Sequence, residues 1–273
     1  MADAKPPQKP NFDLIKRGVK KSNVPGTLTF IGLRGLDPLL QYNLIAGGWG
    51  AAILAKIGVD TIPLNAVAVT TTGISLLDNL NLPLPHLILL GMSVGSFVKQ
   101  AYWLVSLSAE EFPPNVAATV SFYNTLVNSA NSLLLITTAT SILSSPRDFP
   151  GTTLPYQVVL GSVLFSAGMF LETASEWQRK RFKDKPENKG KVMRGGLWSW
   201  ARHINYGGYA LWRAGYCMAA SGFIGGTIMG VWQAFDFLTR GVPALNDYCS
   251  TRYGEQWVQF KREVKWIFLP GIY

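Results

Sequence analysis

Arg202, His203, Asn205 and Tyr206 stand together near the end of the stretch 195–209, where a basic loop gives way to an apolar run. Ionisable groups at the edge of hydrocarbon are costly and point to a functional site by default. Upstream, Glu172 and Glu176 are four residues apart, so on a helix they share one face. Two carboxylates so placed repel each other. They call for a partner, either a cation or a ligand offering hydroxyl or amide donors. Between the two groups lie Arg179, Lys180, Arg181, Lys183 and Arg194, a density of cations that suits a phosphate-rich ligand. The plainer reading of these cations is that they fix topology and meet anionic lipid headgroups.

The elements that must position these groups are membrane-like. Of 273 residues 48% are hydrophobic and 15% charged, against about 25% charged in a soluble domain. Residues 26–177 hold four Lys/Arg and eight Asp/Glu, residues 1–25 hold six basic and two acidic, and residues 178–202 hold nine basic and two acidic. This asymmetry is that of a polytopic membrane protein with basic cytosolic segments, and it argues against nucleic acid as the partner of the positive charge. The first 25 residues show no secretory signal pattern and read as a loosely ordered cytosolic tail. Cys217 and Cys249 are too few for a disulfide framework or a zinc site.

Spanning helices need about 20 apolar residues. Candidates fall at about 38–57, 62–80, 86–107, 117–143 and 154–177; with both basic segments cytosolic, either a sixth helix exists near 26–40, where Arg34 and Asp37 count against a clean crossing, or one segment does not cross. The run 207–239 holds one long helix or two shorter ones, the second re-entrant, so six or seven spans are expected. Gly91-x-x-x-Gly95 and Gly226-x-x-x-Gly230 allow close helix approach. Asn124, Asn128 and Asn131 form one polar stripe, read first as interhelical hydrogen bonding and second as a pocket wall. Trp198, Trp200, Trp212 and Trp232 are read as interface anchors.

Several motifs recur in order: Glu172-x-x-x-Glu176-x-Gln178-x-x-x-Phe182, Arg194-Gly195-Gly196-Leu197-Trp198, Ala201-Arg202-His203-x-Asn205-Tyr206-x-Gly208, Arg252-Tyr253-Gly254-x-x-Trp257 and Leu269-Pro270-Gly271-Ile272-Tyr273. Over residues 154–273 this order resembles the steroid 5α-reductase superfamily, in the branch catalogued as domain of unknown function 1295, and is also similar to sterol C14 and C7 reductases. The resemblance implies an all-α, polytopic transmembrane helix bundle of the endoplasmic reticulum with a C-terminal cofactor cavity. Its organisation would be a basic tail (1–25), N-terminal transmembrane helices (26–153) and the reductase-like region (154–273). The implied activity is NADPH-dependent reduction of a carbon–carbon double bond in a lipophilic, sterol-like or terpenoid substrate. The implied cofactor contacts are Glu172, Glu176, Lys183, Arg194, Arg202, His203, Asn205 and Asp247, with Tyr206, Tyr209 and Tyr253 as proton donors and no metal.

The chain departs from the family pattern at Ile204, where relatives carry Pro, at Tyr209, where many carry Glu or Asp, and at Asn246, where an acidic residue is common. An aromatic at Tyr209 also resembles isoprenylcysteine carboxyl methyltransferases, which bind S-adenosylmethionine in a comparable cavity. A non-catalytic lipid-binding relative is the third reading.

Overall fold

The computed structural model describes residues 16–21, 23–108, 110–144 and 146–272. Its described part is an all-α bundle. Helix α1 spans Val24–Ile45, α2 Trp49–Ala55, α3 Ser75–Asp78, α4 Leu84–Tyr102, α5 Pro114–Ile136, α6 Tyr156–Asp184, α7 Ile204–Asp236, α8 Val242–Tyr253 and α9 Glu255–Glu263. Strand β1 (Lys16–Lys20) pairs antiparallel with β2 (Glu110–Glu111). Three stretches among the described residues, Leu84–Leu107, Tyr156–Asp184 and Ile204–Tyr253, are long and apolar enough to cross a membrane.

Of the two alternatives that the sequence leaves open, helix α1 supplies the sixth helix near 26–40. Its 22 residues extend about 33 Å at 1.5 Å per residue. Arg34 and Asp37, which made a crossing there doubtful, are both fully buried and paired at 2.8 Å. They face inward with Gln41 toward α4 and α5, so the charge costs are met inside the bundle rather than in lipid. The candidate at 38–57 is corrected accordingly: α1 ends at Ile45, and a break precedes α2.

The candidate span at 62–80 is also corrected. It is an irregular segment with one 3-10 turn (Leu64–Ala66) and the single turn α3. Thr70, Thr71 and Thr72 are β-branched, and Gly73 adopts a positive φ of 80°, so apolarity there was never matched by helical preference. Asp78 gathers the segment by accepting from Thr72 N (2.7 Å), Thr72 Oγ1 (2.7 Å) and Gly73 N (3.1 Å). Of the expected tail, residues 1–15 lie outside the described residues. Residues 16–20 form β1, with Gly18 N donating to Glu110 Oε1 at 2.9 Å.

The run 207–239 resolves into two arms. Ser221 and Gly222 leave helical geometry, Gly222 with φ 78°. A straight helix would set residues 206 and 237 about 46 Å apart, yet the Tyr206 and Phe237 rings stack at 4.3 Å. A methyl group placed on Gly230 would stand 3.1 Å from Ala214 Cβ. The chain therefore doubles back at 221–222, and the first arm (204–220) packs against the second (223–236).

The first arm is also zipped to α6. Methyl groups at Gly161 and Gly208 would stand 2.6 Å from Gly215 O and Glu172 N, and ones at Gly168 and Gly215 would collide with Trp212 N and Phe165 N. Small residues let the two backbones touch. The expectation of close approach holds for Gly226 and Gly230, which meet the first arm, but not for Gly91, which faces open space.

Candidate functional site

The α6–α7 zipper fixes the polar groups that the sequence singles out. Glu172 pairs with Lys99 of α4 and accepts from Trp212 Nε1 at 2.8 Å. Glu176, buried at 6% exposure, pairs with Arg179 and accepts from Asn205 Nδ2 at 2.8 Å. The partner that the two carboxylates required is thus a different cation for each. Asn205 Oδ1, in a side chain only 8% exposed, has no hydrogen-bond partner among the described residues.

These residues border two cavities of about 500 Å³ each, which share Trp103, Glu110, Glu176 and Arg179 as a common wall. The first is aromatic and apolar for most of its lining, with Phe30, Phe112, Trp232 and Phe237, and it receives Lys99, Glu172, Asn205, Tyr206 and Tyr209. The second is cationic. Arg179, Lys180, Lys183, Lys185, Lys189, Arg202 and Arg252 line it against three carboxylates, Glu110, Glu176 and Asp184. Gly18 of β1 and Tyr248 and Tyr253 of α8 complete it.

The structure brings together Glu172, Glu176, Asn205, Tyr206 and Tyr209 at the apolar cavity, and Lys183, Arg202 and Tyr253 at the cationic one. Lys183 Nζ donates to Tyr253 Oη at 2.8 Å and to Lys191 O at 2.5 Å, so Tyr253 stands at the cationic end. Arg202 ties down the C-terminal segment, with its Nη1 donating to Val264 O (2.6 Å) and Lys265 O (3.0 Å). His203 stacks on Tyr206 with ring centres 5.5 Å apart, and its backbone N–H donates to Ile267 O at 2.8 Å. His203, Arg194 and Asp247 lie outside both walls. Arg194 forms a partly exposed pair with Glu263 at 3.2 Å.

Two further expectations change. Trp198 and Trp212 are buried rather than interface anchors. Trp198 Nε1 donates to Ser175 O at 2.8 Å, and Trp212 supports Glu172. Asn246 Oδ1, at the departure from the acidic pattern, accepts from Trp257 Nε1 (3.0 Å) and Lys261 Nζ (3.3 Å). It joins α8 to α9 and borders neither cavity.

The sequence reading passed over Lys99, Gln100, Tyr123 and Arg213. Arg213 is fully buried and reaches Asn124, Asn128 (3.0 Å) and the Tyr209 hydroxyl (3.2 Å from both Nε and Nη2). Asn128 Nδ2 in turn donates to Asp37 Oδ2 at 2.7 Å. Asn124 and Asn128 of the stripe on α5 therefore bond between helices, as expected, whereas the side-chain atoms of Asn131 have no hydrogen-bond partner among the described residues; Asn124 also lines the apolar cavity. A lone arginine within an apolar run was the signal that could have found this network.

Comparison with known proteins places residues 110–264 in the family described as a protein of unknown function, DUF1295. The chain is 33% identical over 255 residues to the "Probable O-methyltransferase ustE" of Ustilaginoidea virens, covering 92% of this chain and 89% of that one. It is 25% identical over 174 residues to the Delta(14)-sterol reductase ERG24B of Gibberella zeae, which covers 43% of this chain and 36% of the relative. It is 36% identical over 87 residues to a probable 7-dehydrocholesterol reductase of Acanthamoeba polyphaga mimivirus, which covers 30% and 19% respectively. The matched part of the chain thus spans 36% of the first reductase and 19% of the second.

Proposed function

Since this chain belongs to the DUF1295 family of the steroid 5α-reductase superfamily, we propose that it is an integral membrane reductase. It would use NADPH to reduce a carbon–carbon double bond in a lipophilic, sterol-like or terpenoid substrate, at the endoplasmic reticulum membrane. The observation that carries this reading is the pairing of the two cavities, one cationic and one aromatic, across the wall at Glu176 and Arg179.

The residues present fit such a cofactor. Seven Lys and Arg side chains against three carboxylates leave a positive excess that suits several phosphates. S-adenosylmethionine carries no phosphate and has a positive sulfonium, so it would gain little from that wall. Arg179, Lys180 and Arg252 would hold the phosphates, with Lys183 braced by Tyr253. The unpartnered Asn205 Oδ1 would accept an amide or hydroxyl donor. When bound, NADPH supplies the hydride. The chain's own task is then to orient the substrate on Phe237 and Trp232, to exclude water, and to deliver a proton. Tyr206 and Tyr209 border the apolar cavity and are placed to deliver it, whereas Tyr253 belongs to the cofactor end.

A second reading is favoured by one observation, the near full-length likeness to a probable O-methyltransferase. One experiment separates the two. Detergent-purified protein is titrated with NADPH, NADH and S-adenosylmethionine in parallel, for the wild type and for Arg179→Gln. The reductase reading expects saturable NADPH binding, weakened about tenfold by Arg179→Gln through loss of one charged hydrogen bond. Binding of S-adenosylmethionine alone would replace that reading with the methyltransferase. Binding of none of the three would leave a lipid-binding role.

A further inference from the structure

The apolar cavity is walled by rings. Eight of its 23 lining residues are aromatic, against 12% of the whole chain. Among the described residues, Val120 is the one aliphatic side chain larger than Ala on that wall, and no Leu, Ile or Met borders it. Those residue types are used elsewhere, in the core where Leu89, Met92, Leu135 and Ile136 pack together. A flexible side chain such as Met fills irregular gaps and moulds itself to a puckered surface. Aromatic rings instead offer flat faces and edges whose contacts have a preferred geometry.

The rings are also ordered. His203, Tyr206 and Phe237 form a parallel stack, 5.5 Å apart at 7° for the first pair and 4.3 Å apart at 2° for the second. The stack runs toward the cavity, since His203 lies outside its wall whereas Tyr206 and Phe237 are part of it. The other rings that meet Phe237 cross it steeply, Tyr209 at 88° and Phe268 at 69°. Gly241 keeps the stack free of crowding. A methyl group there would stand 3.2 Å from Phe237 Cδ1 and 3.4 Å from Tyr206 Cε2. Elsewhere on the wall, Phe112 is gripped edge-on by Phe30 (5.7 Å) and Trp103 (6.5 Å). Rings already fixed by ring contacts lose little freedom when a ligand arrives.

We propose that the part of the lipophilic ligand seated in this cavity is a flat ring system, aromatic or flattened by conjugation, laid on Phe237 as the next member of the His203–Tyr206–Phe237 stack. A flat ring brings its whole face to stacking distance, whereas a puckered saturated ring touches through a few hydrogens. Saturated ring systems of the same skeleton are therefore held more weakly. This narrows the lipophilic class given above. It rests on that reading in taking the aromatic cavity as the lipophile's seat, and it is independent of which cofactor fills the cationic cavity.

The test uses the full chain in detergent with two probes of one skeleton, pyrene and perhydropyrene. Pyrene is followed by energy transfer from tryptophan, and perhydropyrene by its displacement of pyrene, each corrected for partition into protein-free micelles. The wild type is expected to hold pyrene about tenfold more tightly, the upper size of one ring–ring contact beyond the area it buries. Phe237→Leu, which removes the ring and keeps an apolar side chain, should cut that ratio to about twofold, and Phe237→Tyr should preserve it. Gly241→Ala, which presses a methyl group on both stacked rings, should lower the ratio with every ring still present. Equal affinities in the wild type, tighter binding of perhydropyrene, or a tenfold ratio that survives Phe237→Leu would each overturn the proposal. Failure of both probes to saturate the protein would overturn it together with the assignment of this cavity to a lipophile. Titration of NADPH on the same samples reports the reductase reading separately, so either can fail without the other.

Discussion

The two halves of the bundle hold together by different means. Helices α1, α4 and α5 are joined by buried hydrogen bonds: Arg34 to Gln100 (3.0 Å) and Ser96 (3.2 Å), and Gln41 to Ser129 (3.1 Å) and Ser132 (2.7 Å). Helix α6 and the first arm of α7 are joined by glycines that bring backbone against backbone. Hydrogen bonds of this kind specify partners by chemistry, whereas the glycine contacts specify them by shape and leave little room for adjustment. The site draws on both. The rigid α6–α7 pair carries Glu172, Glu176, Asn205 and Tyr209, and the polar half supplies Lys99 and Asn124 and, through its network, orients Arg213.

The sharpest way to break the polar half is Asp37→Ala, which leaves Arg34 without its carboxylate. Loss of one partner of a buried pair costs about 3–5 kcal/mol, so thermal unfolding in detergent should show the largest drop of any single change here. Gly168→Val attacks the other half. The new side chain would meet Trp212 N and Gly208 O, both backbone, with an overpacking cost of about 1–3 kcal/mol. Gly91→Val, facing open space, should leave the melting temperature unchanged, and an equal loss in both variants would refute the zipper. Asn246→Ala removes the link between α8 and α9, at about 1 kcal/mol, read as faster proteolysis after residue 254. Arg194→Ala removes a half-exposed ion pair and should cost less than about 1 kcal/mol, with cofactor affinity untouched.

The smallest effect lies outside both halves. The Thr72 backbone N–H holds the Asp78 carboxyl below the usual carboxylate range. A depressed folded pKa stabilises the segment above the unfolded value, and that contribution disappears as pH falls through the folded one. Amide exchange at Thr72 and Gly73 should therefore quicken only in acid, and Asp78→Asn should quicken it at neutral pH.

What the sequence made legible follows the same division. Helix α6, the basic loop and the polar cluster at 202–206 could be read because apolar runs and charge breaks are local signals. The region 62–80 could not, because its apolar residues are interleaved with threonines and a positive-φ glycine. Arg34 and Asp37 hid α1, since a charge in an apolar helix reads as a reason against crossing until its partner is known. Their spacing with Gln41, facing the stripe of Asn124 and Asn128, was the available clue. Tyr253 and Arg202 could be singled out as candidates but not placed at the cationic cavity, because the position of α8 and α9 depends on contacts such as Arg202 with Val264 and Asn246 with Trp257.

The reversal at Ser221 and Gly222 has a bearing on the order in which the molecule is made. Contacts across it join residues near in sequence, such as Tyr206 with Phe237, and close early because little chain must be gathered. Arg34 instead bonds Gln100 and Thr125, 66 and 91 positions away, and Arg213 bonds Asn124 and Asn128 across 89 and 85. During synthesis the first helices emerge with Asn124 and Asn128 still lacking Arg213. Arg213 is the one buried cation of the later arm and completes the earlier helices, so the apolar cavity, whose lining runs to Ala244, cannot close until that arm has been made.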